Sequence, residues 1–311
     1  MPGSPSSSHP KKCFVTGADA NYFPMLAEWV ASIQAQKQSA DYALCVMDCG
    51  LAKEHITYLK QKDVIIKKPD WPTDLPEARI KGKDYLKSCV CRPFINKIFE
   101  GFELYIWIDC DIWMQNWSAI PLYEAGAKQG KLALCPQVDR AWPKQMRIKW
   151  LGPLPWKPRS FYYSNAKKAF DRKTAQKLFA HHVLQAGAFA LTADAPHWER
   201  WQSLILKALE KGKVFTAEQL TMGMMIHLDG YAVELLPAWC NWLCEYKPKW
   251  DTIQKIWVEP FLPHIPLSLV HLSGQDKMRI DRSVTEEFET LQNETIVLSY
   301  RYPGLDGENC L

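Results

Sequence analysis

The sequence lacks a long hydrophobic run and a strong excess of either charge. A membrane-spanning helix needs about 20 mostly apolar residues, whereas the most apolar windows here, 105–113 and 186–193, are short and interrupted by polar residues. The 38 lysines and arginines against 34 acidic residues leave a net charge of +4, which is too small for a protein that neutralises phosphates along a duplex. We therefore expect a soluble or peripheral protein that does not bind nucleic acid.

The sequence also lacks an apolar segment near its start. Residues 1–12, MPGSPSSSHPKK, are rich in proline, serine and lysine and have none of the hydrophobic core of a secretory signal. We interpret them as a flexible leader. This composition predicts a cytoplasmic protein with at most peripheral membrane contact.

The ten cysteines show no zinc-binding or disulfide pattern. Three pairs lie close together in the sequence, Cys45 with Cys49, Cys89 with Cys91, and Cys240 with Cys244. One or three residues separate the members of each pair, not the two residues typical of structural zinc sites, and no histidine lies beside them. Most of the cysteines fall inside apolar runs of a large chain, so we expect buried thiols in a reducing compartment.

Short β-rich runs alternate with helical stretches from residue 13 to residue 113, which is typical of βαβ units that feed a parallel sheet. We predict strands at Cys13–Thr16, Tyr42–Met47, Val64–Ile66 and Glu103–Ile108, helices at Pro24–Gln36, Ala52–Lys60 and Phe94–Phe99, and a loop at Pro69–Lys83. The run Glu103–Ile108 is so apolar that it should lie at the centre of the sheet. The fold class that these patterns predict is α/β.

The second half of the chain is less regular but keeps the same character. We predict strands at Lys131–Cys135, Val183–Leu191, Ala232–Leu236, Leu267–Leu272 and Thr295–Tyr300, and helices at Pro196–Leu209 and Ala217–His227. No repeat or clear linker interrupts the chain. We therefore expect a single domain, 13–311, with a nucleotide-binding half at 13–113, a substrate half at 114–280 and a C-terminal extension at 281–311.

The predicted central strand ends in the tripeptide DCD. Asp109 and Asp111 would lie at the carboxyl edge of the sheet, where open α/β sheets bind ligands. Residues two apart in an extended segment point the same way, so both carboxylates can approach one divalent cation. Such a tripeptide is also common in solvated turns and helix caps. The buried strand before it favours the metal site, because a cation would relieve the repulsion and desolvation of the two acids.

Two further clusters have the residue types that bind a nucleotide diphosphate. His271, Gly274 and Lys277 follow a predicted strand in HLSGQDK and could supply a metal ligand, close backbone approach and a positive charge. Asp19 and Asn21 follow the first strand in TGADANY and could hydrogen-bond a base or ribose. This motif lacks the paired glycines of a dinucleotide fingerprint and the Lys-Ser/Thr of a phosphate loop. A histidine at a strand end is also often a structural residue.

These clusters, in this order, resemble the GT-A glycosyltransferases, most closely the retaining enzymes of glycosyltransferase family 8, over residues 13–277. TGADANY resembles the first-strand motif of the family, VMDCGL at 46–51 resembles its second-strand ending, and Arg92 matches an arginine near the donor sugar. The resemblance implies the GT-A fold with a mostly parallel central sheet. It implies the metal ligands Asp109, Asp111 and His271, the catalytic pair Glu218 and Gln219, and the donor contacts Asp19, Asn21, Tyr22, Arg92, Cys110, Gln185, Ala186, Gly187, Gly274 and Lys277.

The sequence departs from the family at two places. Gln185-Ala186-Gly187 stands where the family usually has Asn-Ala-Gly, and Glu218-Gln219 stands where it usually has Asp-Gln. Each substituted side chain keeps its amide or acid type but is one methylene longer. These differences bear on the identity of the donor sugar and on the geometry of transfer.

The resemblance implies a metal-dependent transferase that moves a hexose from a UDP-sugar to a glycan, a lipid-linked or a protein acceptor, with Mn²⁺ or Mg²⁺ as cofactor and retention of configuration. The competing classes are an inactive glycan-binding or scaffold protein on the same fold, which should have lost metal ligands, and a sugar nucleotidyltransferase. The latter should carry a glycine-rich basic loop after the first strand, which TGADANY is not.

The segment 137–164 fits no periodic template and mixes aromatic with basic residues. Its aromatic residues are Trp142, Trp150, Trp156, Phe161, Tyr162 and Tyr163, and its basic residues include Lys144, Arg147, Lys149, Lys157 and Arg159. Aromatic faces stack on sugar rings and basic residues attract anions, which would suit an anionic acceptor such as a phosphorylated glycan or a lipid head group. Alternatively, the aromatic side chains pack the segment onto the body of the protein.

Overall fold

The computed structural model describes residues 10–142 and 147–305. The strands are β1 (Lys12–Ala18), β2 (Tyr42–Asp48), β3 (Val64–Lys67), β4 (Leu104–Ile108), β5 (Ile112–Met114), β6 (Leu132–Pro136), β7 (Arg147–Leu151), β8 (Leu154–Arg159), β9 (Leu184–Thr192), β10 (Val233–Leu235), β11 (Trp242–Leu243), β12 (Lys249–Asp251), β13 (Ile256–Val258), β14 (Leu269–His271), β15 (Glu286–Glu289) and β16 (Thr295–Leu298). The α-helices are α1 (Phe23–Gln34), α2 (Lys53–Gln61), α3 (Glu77–Ile80), α4 (Lys87–Val90), α5 (Ile95–Ile98), α6 (Ile120–Lys128), α7 (Phe161–Ala169), α8 (Arg172–Leu178), α9 (His197–Lys211), α10 (Ala217–His227) and α11 (Asp276–Ile280). Over these residues, every helix is too short or too polar to cross a bilayer.

The centre of the molecule is a seven-stranded sheet in the order β10-β6-β9-β4-β1-β2-β3. Adjacent strands are parallel except where β9 runs antiparallel between β4 and β6. Strand β4 is the fourth of the seven and every residue in it is buried. The predicted α/β class, the mostly parallel sheet and the central position of this strand are confirmed.

Helix α1 shows how the amphipathic pattern of the sequence forms the core. Pro24 lies in its first turn, where the missing N–H costs nothing because the first amides of a helix have no intrahelical partner. The predicted apolar stripe is buried, and its members are Met25, Leu26, Trp29, Val30 and Ile33. The nine cysteines of the described chain are free thiols, eight of them buried and Cys110 half-buried, as the buried-thiol interpretation expects.

A smaller sheet, in the order β11-β14-β5, lies next to the carboxyl end of the central strand. Strand β5 begins directly after the DCD tripeptide and pairs antiparallel with β14, so that Ile112 lies opposite His271. The main-chain N–H of Leu272 donates to the carbonyl of Asp111 at 3.0 Å. This pairing joins two segments that are some 160 positions apart in the chain.

Two irregular segments contain more structure than the sequence predicts. The loop predicted at Pro69–Lys83 includes the single-turn helix α3. The segment 137–164 contains the antiparallel hairpin of β7 and β8 and the start of α7, whereas Lys144 lies outside the described residues. Trp142 and Tyr162 are core residues on either side of the hairpin, and Trp150 and Trp156 within it are exposed.

Candidate functional site

The backbone brings together the three predicted metal ligands at the carboxyl end of β4. The main-chain N–H of Asp109 donates to the carbonyl of Gly187 at 2.8 Å, which fixes β9 against the acidic tripeptide. The antiparallel pairing of β5 with β14 places His271 on the other side. One ligand atom from each of Asp109, Asp111 and His271 lies within 4.8 Å of the others. These three residues thus offer two carboxylate oxygens and one imidazole nitrogen as possible metal ligands.

Gly187 leaves the room that this cluster occupies. A Cβ atom at position 187 would lie 2.7 Å from Cε1 of His271 and 3.2 Å from Oδ2 of Asp109. A contact of 2.7 Å would force one partner to move, and one of 3.2 Å is tighter than most Cβ contacts in folded proteins. Glycine is therefore required here for steric reasons, not for backbone freedom.

Arg92 compensates the charge of Asp109. Its Nη2 lies 2.6 Å from Oδ1 of Asp109, and the indole Nε1 of Trp107 donates to the same oxygen at 2.8 Å. Arg92 also donates through Nη1 to the carbonyl of Ala186 and through Nε to that of Ser88. Burial raises the pKa of the Asp109 carboxyl, and the guanidinium opposes that rise. The arginine thereby favours the ionised carboxylate, the form that binds a cation.

Asp111 has its own arginine partner, which the sequence did not predict. Nη2 of Arg279 lies 2.7 Å from Oδ2 of Asp111, and the buried Nε of Arg279 has no hydrogen-bond partner within the described chain. Lys277, the predicted cation of this segment, is exposed and does not line the cleft. Both residues belong to the short helix α11, and Arg279 is the one that lies at the acidic cluster.

His271 is in the protonation state that ligates metals. Its Nε2 lies 3.6 Å from Oδ1 of Asp111, and its buried Nδ1 has no partner among the described residues. Burial lowers the pKa of His271 to about 4, although Asp111 opposes the shift. The imidazole is therefore neutral near pH 7, with a lone pair free for coordination.

The acidic cluster lies in a cleft of about 570 Å³. Of the predicted site residues, the cleft is lined by Asp19, Asn21, Tyr22, Arg92, Asp109, Cys110, Asp111, Gln185, Ala186, Gly187, Glu218, Gln219 and His271. The two predicted residues that do not line it are Gly274 and Lys277. Gly274 has a φ of +75°, and a Cβ there would lie 3.1 Å from Cβ of Glu245, so its place in the turn suits glycine. Their contacts with a nucleotide remain predictions.

Glu218 and Gln219 lie in the first turn of helix α10. Their side chains differ in the hydrogen bonds that they make within the protein. Oε1 of Glu218 lies 3.5 Å from Nη1 of Arg92, while its buried Oε2 has no partner in the part of the chain described. Burial raises the pKa of Glu218, and Arg92 opposes this. In contrast, Nε2 of Gln219 donates to the carbonyl of Leu184 at 2.7 Å. Glu218 therefore has a buried acceptor oxygen without a partner among the described residues, while the amide of Gln219 is held through its nitrogen.

Gln185 is held by the protein at both ends of its amide. Nδ2 of Asn241 donates to its Oε1 at 2.7 Å, and its Nε2 donates to the carbonyl of Pro136 at 3.4 Å. The longer side chain at this position thus reaches protein partners. Its role towards a donor sugar remains a prediction.

The first-strand motif forms one wall of the cleft. Oδ1 of Asp19 accepts the main-chain N–H of Tyr22 at 3.1 Å, and Oδ2 accepts Nδ2 of Asn21 at 3.2 Å. This arrangement caps the 3-10 turn at Ala20–Tyr22 and leaves Asn21 and Tyr22 exposed at the rim.

Sequence reasoning missed several residues that line the cleft or support it. They are Trp107, Ser88, Phe215, Thr216 and Arg279, whereas Phe161 of the predicted aromatic segment also lines the cleft. The position of Trp107 could have been predicted, because it lies two residues before Asp109 in an extended strand and so shares its face. The others lie on turns and short helices without periodic pattern.

No protein-family model matches the sequence, and no curated protein matches it either. Solved structures do match. The apo structure of WbbM, a bifunctional glycosyltransferase, has a TM-score of 0.50 and 13% identity, and the match covers 77% of this chain and 41% of that one. The galactosyltransferase LgtC in complex with donor and acceptor sugar analogues has a TM-score of 0.47 and 12% identity, with coverage of 75% and 76%. The Mn/GDP form of core-mannan synthase A from Aspergillus fumigatus has a TM-score of 0.43 and 9% identity, with 72% of each chain covered.

At such low identity, structural similarity bears on the fold alone. The sheet order, the acidic tripeptide at the end of the central strand and the match to WbbM agree with one another. The chain therefore has the fold of the GT-A glycosyltransferases, as the motifs of its sequence predict.

Proposed function

We propose that this protein is a metal-dependent glycosyltransferase that moves a hexose from a UDP-sugar to a carbohydrate-containing acceptor with retention of configuration. One observation carries the proposal. In a GT-A fold, Asp109, Asp111 and His271 converge within 4.8 Å at the carboxyl end of the central strand, inside a cleft large enough for a nucleotide sugar.

The residues at this cluster fit a divalent cation. Two carboxylates and a neutral imidazole suit Mn²⁺ or Mg²⁺, the buried Nδ1 of His271 lacks a partner in the described chain, and Gly187 keeps the space beside it open. Asp109, Asp111 and His271 would hold the ion. When bound, it would supply Lewis acidity and fixed positive charge to the leaving diphosphate.

Different side chains of the cleft would contact different parts of the donor sugar nucleotide. Arg92 and Arg279 would place two positive charges next to the diphosphate, where negative charge develops as the sugar leaves. Asn21 and Tyr22, exposed at the rim beside Asp19, would contact the base and ribose. These assignments rest on the position of each side chain in the cleft.

Glu218 is the best candidate for the sugar side of the reaction. Departure of the diphosphate leaves oxocarbenium-like positive charge on the sugar, which a carboxylate stabilises or attacks. The free Oε2 of Glu218 gives it that capacity. Retention through a covalent intermediate and retention by a front-face route both remain open, and the retaining outcome itself rests on the resemblance to family 8.

The test is a screen of nucleotide sugars for release of nucleoside diphosphate, with Mn²⁺ and with EDTA. We expect release from a UDP-hexose that EDTA abolishes, and transfer products that keep the anomeric configuration of the donor by NMR. Calorimetric titration of UDP with Mn²⁺ should show loss of affinity in Asp111→Asn and not in Asp194→Asn, an exposed acid after β9. If the folded protein neither releases nucleoside diphosphate nor binds UDP, the proposal is refuted and a scaffold role is favoured.

A further inference from the structure

The hairpin of β7 and β8 exposes an unusual amount of apolar surface. Trp150 and Trp156 are 61% and 68% exposed, and Ile148, Leu151 and Leu154 are 45%, 60% and 65% exposed. Single exposed apolar residues are ordinary on soluble proteins, but five large ones within one short hairpin are an unusual concentration. Such a concentration indicates a surface that contacts an apolar partner.

The apolar residues lie on both faces of the hairpin. Trp150 is opposite Pro155, and Leu151 is opposite Leu154. Because successive residues of a strand alternate between faces, Ile148 and Trp150 lie on one face while Leu151 and Leu154 lie on the other; Trp156 is the extra residue where the register shifts. A protein partner that docks on a sheet covers one face. Apolar residues on both faces suit a hairpin that is immersed in an apolar medium.

The charged residues of the hairpin are all of one sign and lie away from its tip. Residues 147–159 contain Arg147, Lys149, Lys157 and Arg159 and no acidic residue. In the hairpin register, Arg147 is opposite Arg159 and Lys149 is opposite Lys157, so both basic pairs lie towards the base. An apolar tip with tryptophans, followed by basic residues, matches the interface of an anionic bilayer, where apolar groups enter the acyl boundary and cations meet the head groups.

The hairpin is anchored at the rim of the cleft. Gln137 before it and Phe161 after it both line the cleft. Trp142 and Tyr162 on either side are buried in the body of the protein. Insertion of the tip would therefore bring the opening of the cleft to the membrane surface.

We propose that the hairpin 147–159 inserts its tip into the surface of an anionic bilayer, and that the acceptor is a lipid-linked saccharide that reaches the cleft from that surface. The statement about the acceptor rests on the proposed glycosyltransferase function. The statement about the bilayer rests on the hairpin alone.

The first experiment is flotation of the full chain with vesicles of phosphatidylcholine alone and of phosphatidylcholine mixed with phosphatidylglycerol. We expect binding to the anionic vesicles that falls at high salt. Trp150→Ser with Trp156→Ser should reduce the partition coefficient by about tenfold or more, since both side chains would leave the bilayer. Ile253→Ser with Val297→Ser is the matched control, because these residues are also exposed, at 82% and 58%, but lie outside the hairpin. Lys149→Glu should weaken binding to the anionic vesicles alone.

Three outcomes would refute the proposal that the hairpin binds a bilayer. Wild-type protein that floats with neither vesicle would do so, as would a double tryptophan variant that, with an unchanged melting temperature, floats like wild type. A wild-type dimer that the same variant converts to a monomer would show that a second copy covers the hairpin. Donor hydrolysis is assayed on the same samples. If the protein binds vesicles but hydrolyses no sugar nucleotide, the proposed function is refuted and the proposed insertion of the hairpin is retained.

The acceptor class has its own readout. Transfer to a lipid-linked saccharide in anionic vesicles should fall in the double tryptophan variant, while transfer to the same saccharide without its lipid should not change. Equal loss with both acceptors would mean that Trp150 and Trp156 contact the sugar directly, and it would refute the lipid-delivered acceptor.

Discussion

The buried carboxylate of Glu28 offers the sharpest test of how the C-terminal part of the chain is held. Glu28 lies in α1 with no solvent exposure. Its Oε1 lies 2.8 Å from Nη2 of Arg301 and 2.7 Å from Nη1 of Arg282, and its Oε2 accepts Nε of Arg301 and the main-chain N–H of Tyr302. Arg301 in turn donates to the carbonyl of Met278 in α11 at 3.1 Å.

Glu28→Gln keeps the shape of the side chain but removes its charge and turns one acceptor oxygen into a donor. Two contacts are then lost, and the buried guanidinium of Arg301 loses its counter-charge. Hydrogen bonds to charged groups contribute about 1.5–3 kcal/mol each, and breaking a buried ion pair costs about 3–5 kcal/mol. We expect the free energy of unfolding to fall by about 3–5 kcal/mol.

Urea unfolding followed by far-ultraviolet circular dichroism measures this loss as a lower midpoint with an unchanged m-value. The matched control is Glu103→Gln, which breaks an exposed ion pair with Lys11, and exposed pairs contribute little. If the Glu28 and Glu103 variants unfold at the same urea concentration, Glu28 does not hold the C-terminal segment and the reasoning from burial is wrong.

Three further predictions concern the cleft and the pH dependence of stability. In UDP titrations with Mn²⁺, Arg279→Gln should lower the affinity for UDP about tenfold through loss of a charge-assisted contact, whereas Lys277→Gln should leave it unchanged. The opposite result would make Lys277, not Arg279, the residue that contacts the diphosphate. Gly187→Ala should weaken Mn²⁺ binding by about 10- to 100-fold, measured by calorimetry on protein with an unchanged melting temperature, and wild-type affinity would show that the cluster tolerates a Cβ. Burial, with a contribution from His181, lowers the pKa of His227 to about 4. The unfolded chain therefore takes up a proton near pH 6.5 before the folded chain does, and stability should fall as the pH drops towards 4. Allowing for partial exposure of the ring, His227→Gln should remove about 1–2 kcal/mol of that fall in urea titrations at successive pH values, and an identical pH profile would contradict it.

The parts of the fold that sequence predicted are those in which periodicity and burial agree. Strand β4 is an unbroken apolar run and lies at the centre of the sheet, and α1 buries its predicted stripe. The direction of β9 was beyond sequence reasoning, because an apolar strand is buried on both faces whether it runs parallel or antiparallel. The small strands around β5 and β14 are too short to show a period.

The candidate site divides in the same way. Asp109 and Asp111 follow a strand that the pattern located, His271 ends another, and the structure brings the three residues together. Lys277 and Arg279 are two residues apart in a five-residue helix that no pattern predicted, so the sequence could not determine which cation meets Asp111. For the segment 137–164 the sequence left two interpretations, packing onto the body of the protein and contact with an acceptor. Trp142 packs in the core, as the first expects, whereas Trp150 is exposed and available for contact.

The two ion pairs of the acidic cluster have a consequence for how ligands enter. Asp109 and Asp111 each already have an arginine partner, so their own charges are compensated within the cleft, although Asp19 and Glu218 add further negative charge to its lining. A lone cation competes with the guanidiniums for the carboxylates, and a lone phosphate competes with the carboxylates for the guanidiniums. A cation that arrives with a diphosphate exchanges both partners at once, because the carboxylates take the cation while the guanidiniums take the phosphates. We therefore expect the two ligands to bind with positive linkage, each raising the affinity of the other by the same factor, so that free metal or inorganic phosphate alone binds more weakly than the cation and the diphosphate together.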